Sequence, residues 1–378
     1  MSRERILVVD DQEPIRYMAK RILGAQYDVV LAESAGTAVR VLRDEKHFDV
    51  VILDIRMPGG DGFEAMRLLR EVQPDLSVIF MTGSVTDLDA RLTRAIREDA
   101  FFFLTKPFHR DVLLALVERC MDTRRLEREK RERQHAVERE LAAARRFQDA
   151  IVPSPDFHAG GVHVRVIYES KLELCGDFYD FGLSQSAVTL LLVDVTGKGA
   201  GAAMAGAMVK LAFHGAAAEK YSPMVVLERI VTCARHFPDG MSLTAFCARL
   251  HPGAKLLEYS SFAGHPPAYV LRASGAVDEL SANAHVLEPA DPHWHGEQRG
   301  LPFGLGDRLV AFTDGVVEAP GPGGAMFFEP GLEKICSELP PGGAEATAVA
   351  LRERVRQFQR GRPPDDDLTI LVAELARP

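Results

Sequence analysis

The chain has 378 residues, 47% of them hydrophobic and 26% charged, with a formal net charge of −9. At roughly 150 residues per domain that is two or three folded units, and the composition excludes a wholly disordered or collagen-like chain. The acidic balance argues against nucleic acid as a partner, no run approaches the roughly 18 apolar residues of a membrane span, and the opening MSRERILVVDD has no apolar leader core, so no membrane and a cytoplasmic location are expected. Five scattered cysteines (Cys120, Cys175, Cys233, Cys247, Cys336), with no CxxC pair, read as reduced thiols.

In the first 122 residues, short apolar runs at 6–9, 29–32, 50–53, 78–81 and 101–104 alternate with helix-patterned stretches such as 63–72 and 88–96. This predicts a doubly wound α/β unit around a five-stranded parallel sheet. Asp10 and Asp11 follow the first strand, Asp54 the third, Thr82 the fourth and Lys106-Pro107 the fifth. Ligands of open parallel sheets bind outside the carboxyl ends of the strands. Three carboxylates, a hydroxyl and an ammonium are therefore expected on one edge. They suit Mg2+, with a carboxylate able to attack phosphorus once the metal and Lys106 neutralise the developing charge.

Residues 123–152 form the expected linker. The segment DTRRLEREKRERQHAVERE holds 13 charged residues in 19, and neither Gly nor Pro interrupts 111–152, so one long helix is predicted. Val137, Leu141, Ala144, Gln148 and Ile151 repeat at four, three, four, three, as in a coiled-coil seam and a homodimer. Upstream the same register meets Thr123, Glu127, Lys130 and Gln134, which leaves a single solvated helix as the competing reading.

From 153 to 378 the pattern changes. Strands are predicted at 162–168, 188–193, 243–250, 256–262, 267–272, 308–312 and 368–373, and helices at 200–218, 223–237 and 345–360, an α+β sandwich. Asp194 and Asp314 directly follow apolar runs, Asp366 precedes one, and Asp177 lies in an aromatic-flanked turn. Carboxylates at sheet ends, without a His or Cys cluster, suit two Mg2+ or Mn2+ that activate water for displacement at phosphorus.

The first constellation resembles the response-regulator receiver family. The resemblance implies Asp54 as phosphoacceptor, fed by a sensor histidine kinase, with Mg2+ held by Asp10, Asp11, Asp54 and the carbonyl of Arg56. It implies Thr82 as switch hydroxyl, Phe103 as switch aromatic and Lys106 as phosphoryl ligand, with a cis bond to Pro107. Phe103 also reads simply as part of a buried strand.

The second half, through ARRFQDAIVP, CGDFYD, LLLVDVTGKG, LTAFCARLHP, FAGHPPAYVL, LPFGLG, AFTDGVVEA and PDDDLTILV, resembles the SpoIIE-type branch of PPM (type 2C) metal-dependent Ser/Thr phosphatases. Carried over by position, Asp177, Asp194, the carbonyl of Val195, Asp314 and Asp366 bind two Mn2+ or Mg2+. Gly176 and Gly197 permit close backbone approach, and Asp367 occupies a neighbouring motif position. The usual GGDF reads Cys175-Gly176-Asp177-Phe178, and the frequent GHG reads Gly197-Lys198-Gly199, which loses a possible imidazole acid at Lys198. Lys171 is the candidate phosphate ligand, and His265 in AGHPP is read as a turn residue. The implied output is dephosphorylation of phosphoserine or phosphothreonine on a protein, an anti-sigma-factor antagonist by family resemblance. The competing reading is a non-catalytic phosphatase-fold adaptor governed by the receiver.

Overall fold

A computed structural model describes residues 3–45, 47–58, 60–83, 102–172, 174–184, 187–197, 199–285, 296–328 and 331–376. The helical stretch expected at 88–96 and the Lys198 position lie outside them. The chain divides into two compact units, Met1–Ala136 and Val137–Pro378, so the division falls inside the expected linker.

In the first unit β1 (Arg5–Val9), β2 (Asp28–Ala32), β3 (Val50–Asp54), β6 (Ser77–Thr82) and β7 (Phe102–Thr105) pair in parallel in the order β2-β1-β3-β6-β7. A two-residue hairpin, β4 (Arg56–Met57) with β5 (Gly60–Asp61), follows β3. The strands are near-continuous Val/Ile/Leu runs because both faces are covered. Ile6, Val8, Ile52 and Ile79 pack with Ala19 and Leu23 of α1 (Glu13–Leu23) and with Leu113 and Val117. Leu7, Val9, Leu53 and Phe80 pack on the other face with Leu42 of α2 (Ala35–Glu45) and Phe63 of α3 (Gly62–Val72). The strand order reverses between β1 and β3, which opens a crevice at their carboxyl ends.

Leu113 and Val117 belong to α4 (Arg110–Ile151), 42 residues long, about 63 Å at a rise of ~1.5 Å per residue. Its middle is held in solvent by i,i+4 pairs such as Arg125–Glu129 and Arg128–Glu132, each worth only about 0.3–0.5 kcal/mol. The expected seam is divided. Val137 is 55% exposed, whereas Gln148 is 3% exposed. Gln148 Nε2 donates to the carbonyl of Cys175 (2.7 Å), and Cys175 N donates to Gln148 Oε1 (3.1 Å). A side chain so occupied inside its own chain is not free for a partner helix, so the stripe left for pairing shortens toward Val137 and Leu141.

The second unit is a sandwich of two antiparallel sheets. One runs β10 (Phe178–Leu183), β11 (Val188–Val195), β12 (Leu243–His251), β13 (Leu256–Ser261), β16 (Arg299–Pro302). The other runs β15 (Val277–Leu280), β14 (Ala268–Leu271), β17 (Arg308–Phe312), β18 (Leu368–Leu375), β9 (Val162–Glu169), β8 (Asp156–Ala159). Val164, Tyr179, Leu190, Leu192, Phe246 and Leu371 fill the space between the sheets. Helices α5 (Ala200–Gly215) and α6 (Pro223–Ala234) cover the first sheet, and α8 (Leu332–Ser337) and α9 (Ala344–Gln359) the second. The short α7 (Asp314–Val317) follows β17.

Strands β8, β10, β15 and β16 are additional to the sequence expectation. FYDFGL, which follows the expected turn at Asp177 and lies outside the expected strands, is β10. It shows no polar alternation because both faces are buried, Tyr179 and Phe181 between the sheets and Phe178 under α5. Asp180, 2% exposed, is tolerated there because Lys210 Nζ (2.7 Å) and His214 Nε2 (3.0 Å) of α5 reach its carboxylate.

Candidate phosphoacceptor and metal sites

At the crevice of the parallel sheet, ligand oxygens of Asp10, Asp11 and Asp54 lie within 4.8 Å of one another. Asp10 and Asp54 are buried, and Asp11 is exposed. Lys106 Nζ stands 2.5 Å from Asp10 Oδ2 and 2.9 Å from Asp54 Oδ2. Asp10 Oδ2 is buried and meets the Lys106 ammonium without a hydrogen bond of its own, and three carboxylates gathered so closely fit a divalent cation with oxygen ligands. Burial pushes the Asp54 carboxyl above its ordinary range, while the Lys106 ammonium pulls it back. The Arg56 backbone N–H lowers it further, by less. Thr82 ends β6, 2% exposed, and its carbonyl accepts from Lys106 N at 2.7 Å. The Lys106-Pro107 bond is cis. Phe103 is half-buried, its ring 5.7 Å from Phe80.

In the second unit each sheet brings two carboxylates to one end of the sandwich. Asp177 precedes β10 and Asp194 lies near the end of β11; Asp314 follows β17 and Asp366 precedes β18. Asp177, 2% exposed, accepts through Oδ2 from the hydroxyls of Thr313 (2.7 Å) and Thr369 (2.6 Å). Thr369 lies in β18 and Thr313 directly follows β17 of the same, opposite sheet, so these bonds tie the sandwich together at the site. Burial, then the charge of Asp194, raises the Asp177 carboxyl well above its usual range. Asp194 is pushed up to about 7, first by burial and then by Asp314 and Asp366. Asp314 is raised by burial and by Asp366. Crowded carboxylates that resist ionising together are the donor set a pair of divalent cations would relieve. They are more spread than the Asp10, Asp11 and Asp54 trio: among the described residues they form no group of three within 4.8 Å. A two-metal centre with ions ~3.5–4 Å apart needs such a spread.

Gly176 lies against the Val195 carbonyl, where a Cβ would come within 2.9 Å of the oxygen. At Gly315 a Cβ would stand 1.8 Å from the Asp367 carbonyl oxygen, so only glycine lets α7 start against that segment. Asp367 has both oxygens engaged by the chain: Oδ1 by Lys171 N (2.7 Å) and Ser170 Oγ (3.2 Å), Oδ2 by Gly176 N (2.6 Å). Its geometry is that of a brace between the Asp177 loop and the start of β18. The Lys171 ammonium donates to the carbonyl of Asp365. Thr313, Thr369 and Gln148 were not singled out from the sequence as site residues. Each sits beside a motif, in FTDG, DLT and RRFQD, and that adjacency was the signal.

His265 is fully buried at its turn, with Nδ1 2.8 Å from the Pro266 carbonyl and Nε2 unpartnered. Burial pushes its pKa down to about 4. Between pH 6.5 and 4 the unfolded chain binds the proton that the native chain refuses, so native stability falls as pH drops through that window, by about 3 kcal/mol at pH 4. Urea unfolding at pH 7 and pH 4 is expected to show a smaller acid loss in His265→Gln than in the parent chain; equal losses would contradict it.

The model of the family described as Stage II sporulation protein E (SpoIIE) matches residues 184–376, and that of the response regulator receiver domain matches residues 6–118. The DNA-binding transcriptional regulator NtrC of Escherichia coli (strain K12) is 39% identical over 122 residues, 32% of this chain and 25% of that protein. The C4-dicarboxylate transport transcriptional regulatory protein DctD of Pseudomonas aeruginosa is 36% identical over 139 residues, 34% of this chain and 28% of that protein. The chain thus spans about a quarter of the length of such curated relatives. Among solved structures, the SiaA-PP2C domain of Pseudomonas aeruginosa superposes with a TM-score of 0.56 at 19% identity, covering 64% of this chain and 98% of that one. The RsbU and RsbW domains of a Mycobacterium tuberculosis protein give a TM-score of 0.50 at 21% identity, covering 58% and 62%. At these identities the two structures speak for the fold of the second unit.

Proposed function

The chain belongs to the SpoIIE family of PP2C-type phosphatases and carries a response-regulator receiver ahead of that domain, and from this premise we propose a cytoplasmic two-component effector that dephosphorylates phosphoserine or phosphothreonine on a protein under control of Asp54. The observation that carries the reading is the set of four carboxylates from two sheets, completed by the Thr313 and Thr369 hydroxyls on Asp177. Asp177, Asp194, Asp314 and Asp366, with the Val195 carbonyl, would hold two Mn2+ or Mg2+, which when bound supply a water of lowered pKa and charge stabilisation at phosphorus. Asp177 keeps one oxygen, Oδ2, on the two hydroxyls and leaves Oδ1 for a cation. Asp367 keeps the loop of Gly176 against β18.

In the receiver, Asp54 takes the phosphoryl group from a sensor histidine kinase as its oxygen bonds to phosphorus and the bond to the donor imidazole breaks. Asp10, Asp11, Asp54 and the Arg56 carbonyl would hold Mg2+, Lys106 Nζ would meet the arriving negative charge, and Thr82, at the end of β6, would act as the switch hydroxyl. The protein substrate, by family likeness, is an anti-sigma-factor antagonist. The test is a Mn2+-dependent assay of the full chain on phosphoserine proteins, with and without a small acyl-phosphate donor. Inactivity with every divalent metal on a range of phosphoproteins would replace this reading by the adaptor.

Control by dimerisation through α4 rests on Val137, exposed, and the half-buried Leu141. Two receivers brought together raise the effective concentration of two such seams. Sedimentation is expected to show a monomer–dimer shift on phosphorylation, lost in Leu141→Asp together with the response of activity. An unchanged monomer whose activity still responds would rule out this route.

A further inference from the structure

Strands β8 and β9 form a hairpin outside both sites, turned by Gly160 and Gly161, each at positive φ. Its register sets His158 opposite His163, and β18 sets Glu374 opposite His163 on the other side. Period-two alternation puts Phe157, Val162 and Val164 into the core and leaves Asp156, His158 and His163 on the outer face. There Asp156 Oδ1 lies 3.1 Å from His158 Nε2 and 3.1 Å from His163 Nε2. The two imidazoles stack at 3.9 Å, 10° from parallel. The carboxylate Glu374 Oε1, 3.2 Å from His163 Nδ1, also accepts from Ala344 N at 2.9 Å.

Glu374 can only accept, so His163 Nδ1 carries the hydrogen toward it. That turns the Nε2 lone pair onto Asp156 Oδ1, another acceptor. Two acceptors at this distance need positive charge between them, either a second proton or a metal ion. The donor set favours the metal ion in kind. Two imidazoles and a carboxylate suit a borderline ion of the zinc type, and three donors ~3.3 Å apart form a face of a tetrahedron with bonds of ~2.0–2.1 Å. An outer carboxylate that fixes the tautomer of a ligating histidine is the usual support of such a site. We propose that Asp156, His158 and His163, oriented by Glu374, form a surface binding site for a divalent zinc-class ion, separate from the carboxylate centres. Glu374 is six residues past Leu368 on β18, about 20 Å along the strand at ~3.3 Å per residue. An ion there staples the hairpin that follows α4 to β18 and, through Glu374, to the start of α9.

The probe is Zn2+ alone, titrated at pH 7.5 against a chromogenic chelator into the full chain held in saturating Mg2+. The parent and Asp194→Asn are both expected to retain one tight equivalent that the His158→Asn, His163→Gln double variant lacks. Glu374→Gln is expected to weaken that equivalent about tenfold without abolishing it. Co2+ should give visible d–d absorption that disappears in the same double variant. Should the double variant fail to fold, Asp156→Asn on the exposed strand reads the same loss. Equal stoichiometry and affinity for Zn2+ in the parent and in any folded variant lacking these ligands would overturn the proposal and leave a protonated His–Asp cluster.

Discussion

Asp194→Asn is expected to lower kcat on a phosphoserine protein by about three orders of magnitude while the chain stays folded. The magnitude follows from the role proposed for the cluster: losing one carboxylate would weaken both the supply of nucleophile and the stabilisation of charge at phosphorus. The fold is expected to survive because the amide is isosteric and the wild-type carboxylate is under stress from burial, Asp314 and Asp366. Relieving that repulsion should leave the metal-free variant at least as stable as the parent. Initial rates in Mn2+ and thermal unfolding in chelator, measured on the same preparations, separate the two effects. Activity within tenfold of the parent would remove Asp194 from the metal centre. A collapse of the melting temperature would make its role structural.

Asp54→Asn is expected to abolish phosphorylation of the chain by a small acyl-phosphate donor or a cognate kinase, and the parent reaction is expected to require Mg2+. Asp54 ends β3 with Oδ2 at 2.9 Å from Lys106 Nζ, and the oxygens of Asp10 and Asp11 are close enough to share a cation with it. Asp10 shares the burial and the Lys106 ammonium, but Asp54 is the member of the trio that ends the central strand β3. Asparagine keeps the shape and removes the nucleophile. Acid-labile label, read as a mass shift of one phosphoryl group, should vanish in the variant. Undiminished labelling would move the acceptor to another residue.

The receiver was legible because each of its candidate side chains ends or directly follows a strand, so the apolar runs themselves pointed at Asp10, Asp54, Thr82 and Lys106. The sandwich was legible where strands alternate or form long apolar runs, as in β11, β12 and β18. It was not legible in β10, where burial on both faces and a charge answered by Lys210 and His214, thirty and thirty-four residues away in sequence, hid the strand. Nor was the fate of Gln148. Its heptad position predicted a seam, but a helix face does not record whether its partner is a second chain or the Cys175 backbone. The pairing of Thr313 and Thr369 on one Asp177 oxygen was equally hidden, because 136 and 192 residues separate them from it.

The division of the four carboxylates between the two sheets makes the hydrophobic interior a ruler. The gap between Asp177 and Asp194 on one side and Asp314 and Asp366 on the other is set by how thickly Leu190, Phe246 and Leu371 fill the space between the layers. Shaving a methylene there would let the layers slide by fractions of an ångström, and two ions held across the seam would register the slip as altered affinity before the protein registered it as unfolding. On the proposed two-metal reading, drift in this core would be restrained by chemistry as well as by stability, and side chains remote from any substrate would set the spacing on which turnover depends.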